Sequence, residues 1–192
     1  MKIIIRQSSQ GALLCEWLIA LALTGIMLSA SFAWAGSWQR QQQAKHWTAN
    51  WVIAMEQLRQ LAQQDRQTWA VCASADGSRC QAVWQAKWLV FRDDNADGIR
   101  QRSERVQSLT PDIPKAWHMV WRSFRNEDWL TWSAQGDAVL SNGTLTICPP
   151  VIDEAALRQV IVSKSGRMRI RRPSQDSPAV LQAARDVCGW LS

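Results

Sequence analysis

With 192 residues and a net charge of +6, from 22 Lys and Arg against 16 Asp and Glu, the chain has room for one globular domain beyond any apolar anchor. So small a basic excess does not make the whole surface a binder of polyanions; where the cations sit matters more than their sum. Two histidines far apart, no nucleophile elbow and no phosphate-binding glycine loop leave no catalytic apparatus in view, and no enzyme is expected.

The first element is apolar. Lys2 and Arg6 lead into Gln10-Gly11-Ala12-Leu13-Leu14-Cys15-Glu16, and the run from Ala12 to Ala35 carries one charge, Glu16. A helix of roughly 20 such residues crosses a bilayer. A carboxylate inside it costs of order 2.5–3.5 kcal/mol at mid-membrane, so a partner is expected for it. A secretory signal ending at Ala33-Trp34-Ala35 is the rival, but such signals have an uncharged apolar core of about 7–15 residues. Glu16 and the length of the run both depart from that.

This segment resembles the type III signal of type IV pilins and of the pseudopilins of type II secretion. The resemblance implies cutting by a prepilin peptidase between Gly11 and Ala12, usually followed by methylation of the new N-terminus. It also implies that Glu16 pairs with the N-terminal amine of a neighbouring subunit during assembly. Gly25 and Ile26 fit the same pattern, whereas Ala12 and Leu13 stand where that family usually has Phe and Thr.

No proline occurs between Ala12 and Gln64, and the second half is rich in Gln, Ala, Leu, Met, Arg and Glu. One helix of roughly 80 Å is expected throughout, at ~1.5 Å per residue. Trp47, Trp51, Ala54, Leu58 and Leu61, three and four apart, form an apolar stripe suited to docking on a sheet.

Beyond Asp65, short strands are predicted at Trp69 to Ala73, Ala82 to Trp84, Trp88 to Phe91, Arg105 to Leu109, Trp117 to Trp121 and Trp129 to Trp132. Asn142-Gly143, between Val139-Leu140 and Thr144 to Ile147, predicts a hairpin. Ser165-Gly166 predicts another, joining Val160-Ile161-Val162 to Met168-Arg169-Ile170, and Ala179 to Val187 predicts a short helix. Thirteen Trp without a single Tyr are expected mostly in the core; exposed ones would stack on bases or on other subunits.

Cys15 lies in the apolar helix, leaving Cys72, Cys80, Cys148 and Cys188, an even number in a domain expected to be exported. Disulfides are the default there. Of the three possible pairings, Cys72–Cys80 and Cys148–Cys188 are favoured: one closes a hairpin through Ala75-Asp76-Gly77-Ser78, the other staples the C-terminal tail to the sheet. Zinc is disfavoured, because neither spacing is C-x2-C.

Asp93-Asp94-Asn95-Ala96-Asp97-Gly98, then five residues and Glu104, fits the loop pattern D-x-[DN]-x-[DN]-G-x5-E. Asp93, Asn95, Asp97 and Glu104 are therefore candidate calcium ligands. The flanks read as strands rather than helices, and Arg92, Arg100, Arg102 and Arg105 crowd the loop. The competing reading is an acidic turn whose side chains cap their own backbone. Phe91 to Gly98 resembles the F-x-D-x-N-x-D-G segment of the GspH/FimT group of minor pseudopilins, and this resemblance implies the hairpin turn.

Lys164-Ser165-Gly166-Arg167-Met168-Arg169-Ile170-Arg171-Arg172 is the second constellation. On a strand leaving a tight turn, Arg167, Arg169 and Arg171 share one face. They lie about 6.6 Å apart, close to the step between phosphates of a nucleic-acid strand. Guanidinium forks at that pitch suit phosphate oxygens without reading sequence. The bland alternative is an edge strand whose charge blocks edge-to-edge aggregation. Gly166-Arg167-Met168-Arg169 resembles the G-R-x-R segment of FimT-type pilins, which implies DNA binding during uptake; Lys164, Arg171 and Arg172 extend the patch.

The expected fold is α+β and pilin-like: a long N-terminal helix, transmembrane in its first half, packed on an antiparallel β-sheet head. Residues 1–11 form a leader, 12–35 the transmembrane and assembly helix, 36–64 its amphipathic continuation, and 65–192 a β-rich GspH/FimT-like head. The resemblances imply a minor type IV pilin or pseudopilin, held in the bacterial inner membrane by a single pass with its head in the periplasm. After assembly it would lie in a pilus or pseudopilus fibre. Its expected partners are the prepilin peptidase, other pilin subunits and extracellular DNA. The alternative is an H-type pseudopilin of type II secretion with a purely structural role. No cofactor is expected unless the acidic loop holds Ca²⁺.

Overall fold

An unbroken run of helix formers without proline gives α1, Gln10–Asp65. The computed structural model describes residues 10–190 other than 75, 77–79, 81–82, 85–87, 110–115 and 139–140. Of their side chains it describes all but those of 10–14, 28–34, 83 and 108–109. Two units are distinguished, Met1–Gln39 and Arg40–Ser192.

In the first unit, Trp17, Leu18, Ile19, Leu21, Leu23, Ile26 and Met27 are all exposed on the helix. Among the described residues no helix is long and apolar enough to cross a membrane. Of the leader expected at residues 1–11, residues 1–9 lie outside the described residues.

In the second unit, Ala44, Thr48, Trp51, Met55, Leu58 and Ala62 are buried, and their alternating steps of four and three make one continuous helical stripe. The expected Trp47, Ala54 and Leu61 flank this stripe, half-buried against the same core. Strands follow: β1 Trp69–Ala73, β2 Val83–Trp84, β3 Trp88–Arg92, β4 Val106–Leu109, β5 His118–Ser123, β6 Trp129–Trp132, β7 Gly143–Cys148, β8 Arg158–Val162 and β9 Met168–Arg171. They form two sheets, ordered β4-β3-β1-β6 and β2-β5-β7-β8-β9, in which every ladder is antiparallel. A 3₁₀ turn, Pro173–Gln175, and α2, Pro178–Val187, complete the chain order.

The α1 stripe meets inward side chains of both sheets in one core, among them Trp69, Val71, Val90, Leu130 and Trp132 from one and Met119, Trp121, Leu145, Ile147, Val160 and Val162 from the other. Tryptophan fills much of it. Trp51 and Trp88 meet edge-on at 6.5 Å, and Trp84 lies 5.9 Å from Trp88 and 6.0 Å from Trp121. Their burial, together with that of Trp69, Trp117 and Trp132, agrees with the core role expected for this residue.

Among the described residues, two expected hairpins are not formed. β1 and β2 belong to different sheets, so the Cys72–Cys80 disulfide spans the crossing from one sheet to the other instead of closing a ladder. β7, which follows Asn142, has both edges taken, by β5 and by β8. Asn142-Gly143 therefore starts a central strand, and residues 139–140, the other arm expected of that hairpin, lie outside the described residues.

Candidate nucleic-acid interface

β8 and β9 form the expected hairpin, with Val160 opposite Ile170, Ile161 opposite Arg169 and Gln159 opposite Arg171. The turn is closed by the Ser163 amide donating to the Arg167 carbonyl at 3.0 Å and the Gly166 amide to the Ser163 carbonyl at 2.9 Å. Gly166 has a φ of +76°, and a Cβ there would lie 2.2 Å from the Gly136 carbonyl oxygen. Only glycine fits both the left-handed backbone and the close approach. Arg59 of α1 donates to the same Gly136 carbonyl at 2.8 Å, and Ala138 donates to the Lys164 carbonyl at 2.9 Å. The turn that launches β9 is thus fixed to the body of the head.

β9 is the outer strand of its sheet. Met168 turns to the core, so Arg169 and Arg171 alternate to the opposite, outer face, whereas Arg167, in the turn just before β9, lines a cavity with Val52, Glu56 and Arg59 of α1. Arg167 and Arg169 are exposed and, among the described residues, belong to no ion pair. Arg171 is half-buried and meets Asp176 at 3.3 Å. Arg172 is exposed just before Pro173, and Lys164 is exposed in the turn.

Ladder register places further residues on this outer face. One row across the sheet reads Arg122, Thr144, Ile161, Arg169, and the next Val120, Thr146, Gln159, Arg171. Between this face and α2 lies a cavity of about 230 Å³ lined in part by Arg122, Thr144, Thr146, Gln159 and Arg171. Phe124, one residue past β5, is 79 % exposed, and the Lys164 Nζ lies 5.9 Å from its ring centre. Neither Arg122 nor Phe124 was singled out by sequence reasoning. Alternation from buried Trp121 would have turned Arg122 outward, but only the register shows what it faces.

The acidic loop is a network of capped amides. Buried Asp93 accepts from the amides of Asp97 at 3.1 Å and Gly98 at 2.8 Å, one on each oxygen. Asp97 accepts from the Ile99 amide at 2.7 Å. Glu104 accepts from the amides of Asp94 at 3.1 Å and Gln101 at 2.7 Å, and Asn95 from the Asp97 amide at 3.3 Å. Gly98 has a φ of +73° and lies so close beneath the Trp129 indole that a Cβ would overlap it. Burial pushes the Asp93 carboxyl up, against the pull of the Gly98 and Asp97 amides. Partial desolvation opposes ionisation of Asp97, but the Ile99 amide, Asn95 and Gln101 together hold it below the usual range.

Among the described residues, the one trio of metal-capable groups whose ligand atoms lie within 4.8 Å of one another is His118, Cys148 and Cys188. The carboxylates of the acidic loop form no such trio, because their oxygens are turned to backbone amides. Cys148 and Cys188 are joined in a disulfide, which leaves no free thiolate for a metal. Burial depresses the His118 imidazole, opposed by its hydrogen bond to the Cys188 backbone.

The disulfides are the favoured pairs, Cys72–Cys80 and Cys148–Cys188. The second joins the end of β7 to the C-cap of α2, where Leu157 and Ala184 complete a small cluster. The loop between β7 and β8 is held at two points, by Arg40 on Asp153 at 2.8 Å and by Arg185 of α2 on Glu154. Gly11 and Ala12 lie within α1, and Glu16 is exposed on it.

A helix docked across two antiparallel sheets is a pilin-like α+β head. The chain belongs to the GspH family: the profile described as "Type II transport protein GspH" matches residues 48–166. Two crystal forms of the type IV minor pilin FimU of Pseudomonas aeruginosa are similar in structure, each 19% identical. One has a TM-score of 0.45 over 72% of this chain and 96% of FimU, the other 0.46 over 73% and 92%. No curated protein sequence matches the chain significantly.

Proposed function

We propose that this chain is a minor pilin or pseudopilin subunit whose head offers its basic edge strand to extracellular DNA during uptake. The prepilin peptidase cuts between Gly11 and Ala12, residues 12–35 hold the chain in the inner membrane until assembly, and Glu16 meets the N-terminal amine of the next subunit in the fibre. Exposed apolar side chains from Trp17 to Met27 support both membrane residence and packing among subunit helices. No step of this role requires catalysis.

The observation that carries the DNA reading is the pair of exposed guanidinium groups, Arg169 on the outer strand β9 and Arg167 in the turn that Gly166 fixes. The test is DNA binding by the full chain in mild detergent, titrated with salt. Affinity should fall steeply with salt, and Arg167→Ala/Arg169→Ala should weaken binding and flatten the log–log salt slope by about 2 on duplex DNA. Binding untouched by the double substitution would remove β9 from the mechanism.

A second reading, a purely structural H-type pseudopilin of type II secretion, is favoured by one observation. The family match ends at Gly166, just before the arginines begin. On that reading the double variant assembles normally and the wild type shows no affinity for DNA.

A further inference from the structure

We infer that the outer face of the five-stranded sheet, and not β9 alone, is a track for single-stranded nucleic acid, with Arg122 as a second phosphate contact and Phe124 as the residue that stacks on a base. This deepens the DNA reading above and rests on it. Arg122 and Arg169 end one row of the sheet, with Thr144 and Ile161 between them. Three interstrand steps put their backbones about 14 Å apart. Both are exposed and, among the described residues, neither is in an ion pair. Cations on both sides of a shallow floor hold a flexible polyanion more closely than one row along an edge, because phosphates on two sides of a bend are neutralised together.

The floor suits this use. Thr144 offers a half-buried hydroxyl beside Arg122 at the cavity under α2, while Thr146, deeper in, is buried and accepts from Gln159 at 3.2 Å. Val180, Ala183 and Val187 of α2 wall this cavity, and Phe124 follows two residues after Arg122, which lines it.

Phe124 decides between a single strand and a duplex. Its ring is 79 % exposed, while its amide donates to the Asn142 carbonyl at 2.8 Å, so the backbone beneath the ring is anchored. Lys164 stands over the ring, and exposed Arg125 follows it in the chain. An aromatic ring held among cations is the combination that stacks unpaired bases while the charges follow the phosphates. A duplex presents the phosphates but hides the faces of its bases, so it gains nothing from Phe124.

The test compares a labelled mixed-sequence single strand with a duplex of equal length, bound by the full chain in mild detergent at fixed salt. The single strand should bind about tenfold more tightly, the scale of one stacked base. Phe124→Ala should remove most of that preference and leave duplex binding within about twofold. Arg122→Ala should weaken single-strand binding and flatten its salt slope by about 0.7, one phosphate contact. An exposed ring leaves little reason for misfolding, and an unchanged melting curve checks this. If Phe124→Ala binds the single strand like the wild type, the inference fails; loss of binding in Arg167→Ala/Arg169→Ala would still uphold the edge strand. If Phe124→Ala impairs fibre incorporation with DNA binding unchanged, Phe124 is a subunit contact and the inference also fails. No binding of either DNA by the wild type overturns both readings.

Discussion

Asp93 shows how a pattern that suits a cation also suits a backbone. Its two oxygens each receive one amide hydrogen, from Asp97 and Gly98, in a site where the residue is 1% exposed. Asp93→Asn replaces one acceptor by an NH₂ group facing an amide donor, and Asp93→Ala removes both acceptors. Hydrogen bonds to a charged group contribute about 1.5–3 kcal/mol each, and an orphaned buried amide costs a similar amount. Asp93→Asn should therefore lower unfolding free energy by about 1.5–3 kcal/mol in denaturant titrations, and Asp93→Ala by more. Calcium or a chelator should leave the wild-type melting temperature in place, since a ligand that binds only the folded state would raise it.

His118 carries a pH dependence of opposite chemistry. Burial lowers its pKa below the ordinary 6.5, with the Cys188 backbone hydrogen bond working against that shift. The unfolded chain then binds a proton more readily than the folded one, so this contribution is complete above about 6.5 and is lost as pH falls towards the folded pKa. Unfolding midpoints from pH 8 to pH 5 should decline for the wild type. The decline should be shallower in His118→Gln, which cannot take up the proton.

At the scale of elements, much was legible. β1 and β6 occupy the predicted residues, because short runs of buried aromatic and branched side chains between turn residues define a strand locally. The α1 stripe was found with its axis shifted: the tryptophans pointed to the right face, but Ala44, Thr48 and Ala62 are too small or too polar to announce that they are buried. Strand pairing was less legible. Asn142-Gly143 signals a tight bend, yet which strands flank β7 is decided by contacts distant in sequence. For the same reason the β9 arginines could be aligned from their alternation alone, whereas Arg122 joined them only through three ladders.

The two disulfides differ in reach, and the difference has an energetic consequence. Cys148–Cys188 links residues 40 apart in sequence and Cys72–Cys80 residues 8 apart. In the chain-entropy view, closing the longer loop restricts the unfolded chain by about 4 kcal/mol, against about 2.5 kcal/mol for the shorter. Replacing Cys148 and Cys188 by Ser should accordingly destabilise the head more than replacing Cys72 and Cys80. Selective loss of α2 is expected first, because that helix meets the sheet through the same small cluster. Hydrogen exchange along Pro178–Val187 would register this loss before global unfolding does.

For the whole molecule, the proposed fibre role makes opposite demands on one residue. Glu16 stands among exposed apolar side chains of α1, where a carboxylate weakens membrane residence by of order 2.5–3.5 kcal/mol at mid-bilayer. A side chain kept only for anchoring would be apolar; one kept for assembly must tolerate that cost until a neighbouring amine neutralises it. Glu16→Ala should therefore move two measurements in opposite directions. The processed chain should be retained more firmly in membranes on alkaline extraction, yet it should appear less in sheared fibres. The melting temperature of the head should not change, because among the described residues its core draws on α1 only from Ala44 onward. Fibre incorporation equal to the wild type would show that the carboxylate has no part in assembly, and a lowered head melting temperature would trace any assembly defect to folding instead of to pairing.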